Sequence, residues 1–167
     1  MEVHTITENE LYDRAMFFAK NILHIGTDYL TDVVFMSGYD AYGNEIPVLG
    51  AFRYNGESYL GDNEEDDCIE CWIEINDTLA TQPLLLNNAL LHELIHYKLW
   101  YLGYEYHDKD KQFLDELKKY HITSNFDGEF DKKTKQWQDG IDEEQMQLYE
   151  NMFRNGSCIL DYENFTL

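Results

Sequence analysis

The feature that most restricts this chain is the run His92-Glu93-Leu94-Ile95-His96, set inside the apolar stretch 84–102. On an α-helix two histidines four residues apart leave one face, so both imidazoles can grip a single cation. Glu93 then stands about 100° round the axis, within reach of a water on that cation. Histidines on a buried helical face otherwise each need a hydrogen-bond partner of their own, which makes an incidental pair the poorer account. The spacing therefore predicts a helix that runs from Pro83, tolerated in a first turn, to about Tyr101, with Gly103 as its stop. Asp77 or Thr81 is the expected cap.

The rest of the chain must supply a core for that helix, and 167 residues are enough for one ordinary domain with appendages. Thr7 and Glu10 form a capping box, with Ile6 and Leu11 at the staple positions. Leu11, Ala15, Phe18, Ala19 and Ile22 then recur at helical spacing up to a stop at Gly26. Residues 31–36, 48–54 and 68–75 are β-rich and separated by turn formers, which predicts three strands, most economically antiparallel. The acidic loop 61–67 lacks the spaced ligands of an EF-hand and reads as a solvated turn. In the third strand Cys71, Ile73 and Ile75 face one way, and Glu70, Trp72 and Glu74 the other. A short helix is expected from about Asp110, carrying Phe113, Leu114 and Leu117 inward, and Asn125-Phe126-Asp127-Gly128 reads as a turn. A last helix is expected after Asp142, where Met146, Tyr149, Met152 and Phe153 form a stripe. The fold class is α+β, with a main domain over residues 1–124 and an acidic extension, 125–167, packed on it.

Charge narrows the partners. Lys and Arg number 12 against 33 Asp and Glu, a net charge of −21, which repels phosphate backbones and argues against direct nucleic-acid binding. Such a surface suits good solvation, or a basic protein partner. Glu2, Glu8, Glu10 and Asp13 break any apolar run at the N-terminus, so neither a signal peptide nor a membrane span is expected and the cytoplasm is the expected compartment. The three cysteines are too few and too odd in number for a disulfide framework. Cys68 and Cys71 sit three apart in a strand, pointing to opposite faces, and read as ordinary strand residues.

A catalytic zinc site takes three protein ligands and keeps a fourth position for water, so a partner for His92 and His96 is needed downstream. The metzincin continuation fails, because Leu99 and Leu102 hold its glycine and histidine places. Glu116, on the following helix, and His107, 11 residues after His96, remain as candidates.

The stretch 90–113 resembles the SprT-like metallopeptidase family, which includes Spartan. The likeness rests on the His-Glu-x-x-His helix, the strand and turn before it at Trp72 to Leu79, and the downstream His107 with the aromatic Phe113. It covers roughly residues 7 to 124. Asp108 stands where the family often has glycine, and the tail, with Cys158 alone, has no paired-cysteine zinc ribbon. The resemblance implies a zincin-like domain holding Zn2+ through His92, His96 and His107, with Glu93 as general base in the hydrolysis of a protein or peptide substrate. Strand residues 70–75 are expected to offer a free edge to an extended substrate. Tyr97, Tyr101, Tyr104 and Tyr106 are expected to pack rather than to stabilise an oxyanion. The alternative is an acidic interaction protein that binds a basic partner or imitates nucleic acid, in which any zinc is structural or vestigial.

Overall fold

A computed structural model describes residues 4–44, 48–54, 70–123, 130–131, 136–137 and 140–156. In order these form α1 (Glu8–Asn21), β1 (Leu30–Met36), β2 (Gly50–Tyr54), β3 (Cys71–Asn76), a 3-10 turn (Asp77–Thr81), α2 (Pro83–Leu102), α3 (Lys111–Lys119), β4 (Phe130–Asp131), β5 (Gln136–Trp137) and α4 (Glu143–Arg154). The fold is α+β, as expected. The acidic loop 61–67, Cys68, Cys158 and the turn at Asn125 to Gly128 lie outside the described residues.

The main sheet has the order β1-β3-β2 and is mixed, which corrects the antiparallel expectation. β3 pairs antiparallel with β2 and parallel with β1. The reason is geometric: the chain reverses between β1 and β2 and again before β3, so β3 runs as β1 does. Once the most buried strand takes the centre, its pairing with β1 has to be parallel. It follows that β3 has no free edge, and β1 and β2 form the two edges instead.

Half of the expected capping box forms at the start of α1: the Thr7 hydroxyl accepts from the Glu10 amide at 3.1 Å, while the Glu10 carboxylate turns to His4 Nε2 at 2.7 Å and Arg14 Nη2 at 2.9 Å instead of the Thr7 amide. It ends earlier than the expected stop at Gly26, and the chain leaves it through His24 at a φ of +54°. Asp77 and Thr81 belong to the 3-10 turn instead of capping α2, whose N-cap is Gln82 with Pro83 just inside. In α3, Phe113 and Leu117 are buried, whereas Leu114, expected inward, is exposed.

α2 is the central element. It packs on β2 and β3, and also against α1, α3 and α4, so it is buried almost all round, as a helix apolar on every side must be. The extension's helix α4 therefore belongs to the same core, through Met146 and Tyr149. No helix among the described residues is long and apolar enough to cross a membrane.

Candidate metal centre

A helix buried on every side has no water to offer its polar residues, so each polar group on α2 needs a partner from a neighbouring element. Five such residues are buried: Asn87, Asn88, His92, Glu93 and His96. Asn87 belongs to an ionic network, since its Oδ1 accepts from Arg14 Nη1 at 2.9 Å and its Nδ2 donates to Glu150 Oε1 at 2.9 Å. Asn88 accepts from the Thr123 amide at 3.0 Å. The remaining three converge.

The rings of His92 and His96 lie with centroids 5.1 Å apart. Each turns Nδ1 to a backbone carbonyl: His92 to Thr123 at 3.2 Å, and His96 to Tyr106 in a short contact. A carbonyl oxygen only accepts, so each Nδ1 carries the hydrogen and each Nε2 is left facing the other way. Both Nε2 atoms point at Asp108, whose Oδ1 is 2.9 Å from that of His96 and 3.7 Å from that of His92. One atom from each of these three residues lies within 4.8 Å of the others. A tetrahedral zinc with bonds of about 2 Å separates its ligand atoms by roughly 3.3 Å, between those two distances. Phe113 supports the pair, stacked on His96 at 3.9 Å and edge-on to His92 at 5.1 Å.

Two imidazole nitrogens and a carboxylate oxygen are all acceptors when deprotonated, and stay together only around a positive charge. The titration pattern reflects that conflict. The neighbouring imidazoles of His92 and His96, against some desolvation, hold the Asp108 carboxyl down at about 2. Burial opposes a charge on His92, but Asp108, Glu93 and the Thr123 carbonyl outweigh it and raise its pKa. Burial and the neighbouring His92 push His96 down to about 4. A divalent cation would replace the proton that these groups compete for, so the donor set fits a metal ion.

Glu93 sits beside this cluster and is 5% exposed. No hydrogen bond reaches its carboxylate from the described residues. Burial pushes its pKa up to about 7, reinforced by Asp108 and partly offset by His92. Its side chain packs against β2 at Gly50, where an added Cβ would come within 3.0 Å of Glu93 Oε2.

His92, Glu93 and His96 are thus brought together as the sequence predicts. The third position differs. The His107 ring is exposed, 3.3 Å from Asp110 Oδ2 and stacked on Tyr106, while its neighbour Asp108 reaches the pair. Consecutive residues of a turn project in different directions, which spacing along the chain does not register. Glu116, the other candidate, pairs with Lys98 Nζ at 2.8 Å. The hydroxyls of Tyr97, Tyr101 and Tyr106 are engaged with Gly26, Asp28 and Tyr54, in keeping with packing roles. The sequence reading missed Asp108, Asn88 and the carbonyls of Tyr106 and Thr123. Asn88 left a trace as a polar residue four before His92 in an apolar run, and Asp108 one as the residue that stands where the similar family often has glycine. No family model matches this chain, and no curated protein or solved structure does either, so the site's own geometry is what bears on its chemistry.

Proposed function

We propose that this protein is a zinc-dependent metallopeptidase in which His92, His96 and Asp108 hold the ion and Glu93 is the general base. The observation that carries the reading is the convergence of two carbonyl-anchored histidines and a carboxylate beside a buried glutamate that no hydrogen bond reaches from the described residues. The resemblance of residues 90–113 to SprT-like enzymes points the same way. When bound, zinc supplies a Lewis acid that acidifies water and polarises a carbonyl. The chain's own residues do the rest. Glu93, with a pKa of about 7, accepts a proton from the attacking water and returns it to the leaving amine. The carbonyl contacts of Nδ1 in His92 and His96 fix both rings, so that each Nε2 would be held toward the ion. The edge strand β2, which passes Glu93 at Gly50, can pair with an extended peptide through its backbone.

The test is zinc content and peptide hydrolysis of the full chain beside His92→Ala, Asp108→Ala, His107→Ala and Glu93→Gln. Near-stoichiometric zinc is expected in the wild type, with loss in the His92 and Asp108 variants, and a Glu93 variant that keeps zinc without hydrolysing. Loss in His107→Ala but not in Asp108→Ala makes His107 the third ligand. A wild type that stays zinc-free after supplementation ends the reading. The charge of −21 favours a second one, an acidic binder of a basic protein, which salt-sensitive binding unaffected by Glu93→Gln would select.

A further inference from the structure

Of the polar residues buried on α2, Asn88 is the one that neither the ionic network nor the cation site includes. It is fully buried and lies four residues before His92, on the ridge that carries His92 and His96. Its Oδ1 accepts from the Thr123 amide at 3.0 Å, and the Thr123 carbonyl in turn accepts from His92 Nδ1 at 3.2 Å. One backbone residue is therefore strung between Asn88 and the histidine. Asn88 Nδ2 has no hydrogen-bond partner among the described residues, and a buried donor left unpaired is destabilising. A leucine would fill a similar volume without that cost, but it would not hold Thr123.

The same segment is also held by the C-terminal extension. The Tyr149 hydroxyl donates to the Tyr120 carbonyl at 2.9 Å, and His121 Nδ1 lies 3.1 Å from Asp142 Oδ2. The Thr123 hydroxyl donates to the Gly140 carbonyl at 2.8 Å. These contacts bracket His121, whose φ of +64° is a conformation that a residue other than glycine keeps only when its surroundings impose it.

We propose that Asn88 is a positioning residue for His92, acting through the Thr123 backbone, and that the contacts from Gly140, Asp142 and Tyr149 complete the clamp. Metal affinity then depends on a part of the chain that contributes no ligand. The proposal rests on the cation site proposed above. Orienting groups of this kind typically change metal affinity by roughly 10- to 100-fold.

The experiment is a zinc titration against a competing chelator, run on the full chain and on Asn88→Leu, Thr123→Val and Asn87→Leu, with thermal unfolding of each metal-free protein. Asn88→Leu is expected to weaken zinc by about 10- to 100-fold while its metal-free unfolding temperature is unchanged or raised. Thr123→Val, which removes only the hydroxyl bond to Gly140, is expected to weaken zinc by a smaller factor. Asn87→Leu should show the reverse: a lower unfolding temperature with zinc affinity intact, because its partners are Arg14 and Glu150. Wild-type affinity in a folded Asn88→Leu overturns the proposal. If that variant does not fold, wild-type affinity in Thr123→Val overturns it. A wild type with no zinc affinity would instead remove the cation site itself, a different result from a bound ion that is indifferent to Asn88.

Discussion

Replacing Glu150 by glutamine should be among the most damaging single-atom changes available in this fold. Glu150 is 5% exposed and Arg14 fully buried, and between them they join α4 to α1 and α2. Oε1 accepts from Arg14 Nη1 in a short contact and from Asn87 Nδ2 at 2.9 Å, while Oε2 accepts from Arg14 Nη2 at 3.1 Å and Arg154 Nε at 2.8 Å. Glutamine presents an amino group where one of these oxygens stood, so two of the four donors meet another donor. Arg14 keeps one carboxylate, Glu10 Oε2 at 2.9 Å, and its guanidinium still rests on the Phe153 ring. Breaking a buried pair costs about 3–5 kcal/mol, and the surviving Glu10 contact sets the expectation near 3 kcal/mol. For a chain of this size that is a fall of roughly 6–12 °C in unfolding temperature, measurable by calorimetry at pH 7.

The pH dependence supplies a second check. Burial opposes the charge on Glu150, but the hydrogen bonds from Arg14 and Asn87 and the charges of Arg14 and Arg154 outweigh it, so its pKa lies below the usual 4.5. A group depressed in the folded state contributes stability that is fully present above its unfolded value and is lost as pH falls through the folded one. The gap between wild type and Glu150→Gln should therefore be constant above about pH 5 and close on acidification. A fall of less than about 2 °C at pH 7, or a gap that widens in acid, would refute the argument that Arg14 depends on this carboxylate.

Other outcomes follow from close packing and burial. Gly50→Ala would set a Cβ 3.0 Å from Cγ and Oε2 of Glu93, at a cost of about 1–3 kcal/mol in stability; under the proposed function, hydrolysis should drop sharply while zinc content holds. Wild-type turnover in that variant would show that the approach of β2 does not position Glu93. Gly103 closes α2 at a φ of +84°, and alanine there should cost about 1 kcal/mol in denaturant unfolding. Burial pushes the Cys71 thiol up to about 12, so iodoacetamide at pH 8 should leave it unmodified in the folded protein, as peptide mass spectrometry would report.

Local patterns in the sequence determined a great deal here. The N-cap at Thr7, the alternation of Cys71, Ile73 and Ile75, the long apolar run from Pro83 and the left-handed stop at Gly103 each act over a few residues, and each appears where it was expected. The pairing of His92 with His96 is of the same kind, since helical geometry alone puts them on one face. What the sequence could not carry was any relation between distant segments. Which strand takes the middle of the sheet depends on the burial of all three together, so β3 rather than β2 lost its free edge. The third group of the site depends on how the turn after Gly103 is held, by the Tyr106 carbonyl on His96 and by Asp110 on the His107 amide. Asp108, next to the histidine singled out by resemblance, is the residue turned toward the pair. Thr123 and Asn88 meet His92 only because the extension and α2 pack into one core. Side-chain periodicity fixes which face a residue occupies, whereas the groups across from that face are chosen by tertiary packing, and in this protein those groups decide what the histidine pair can hold.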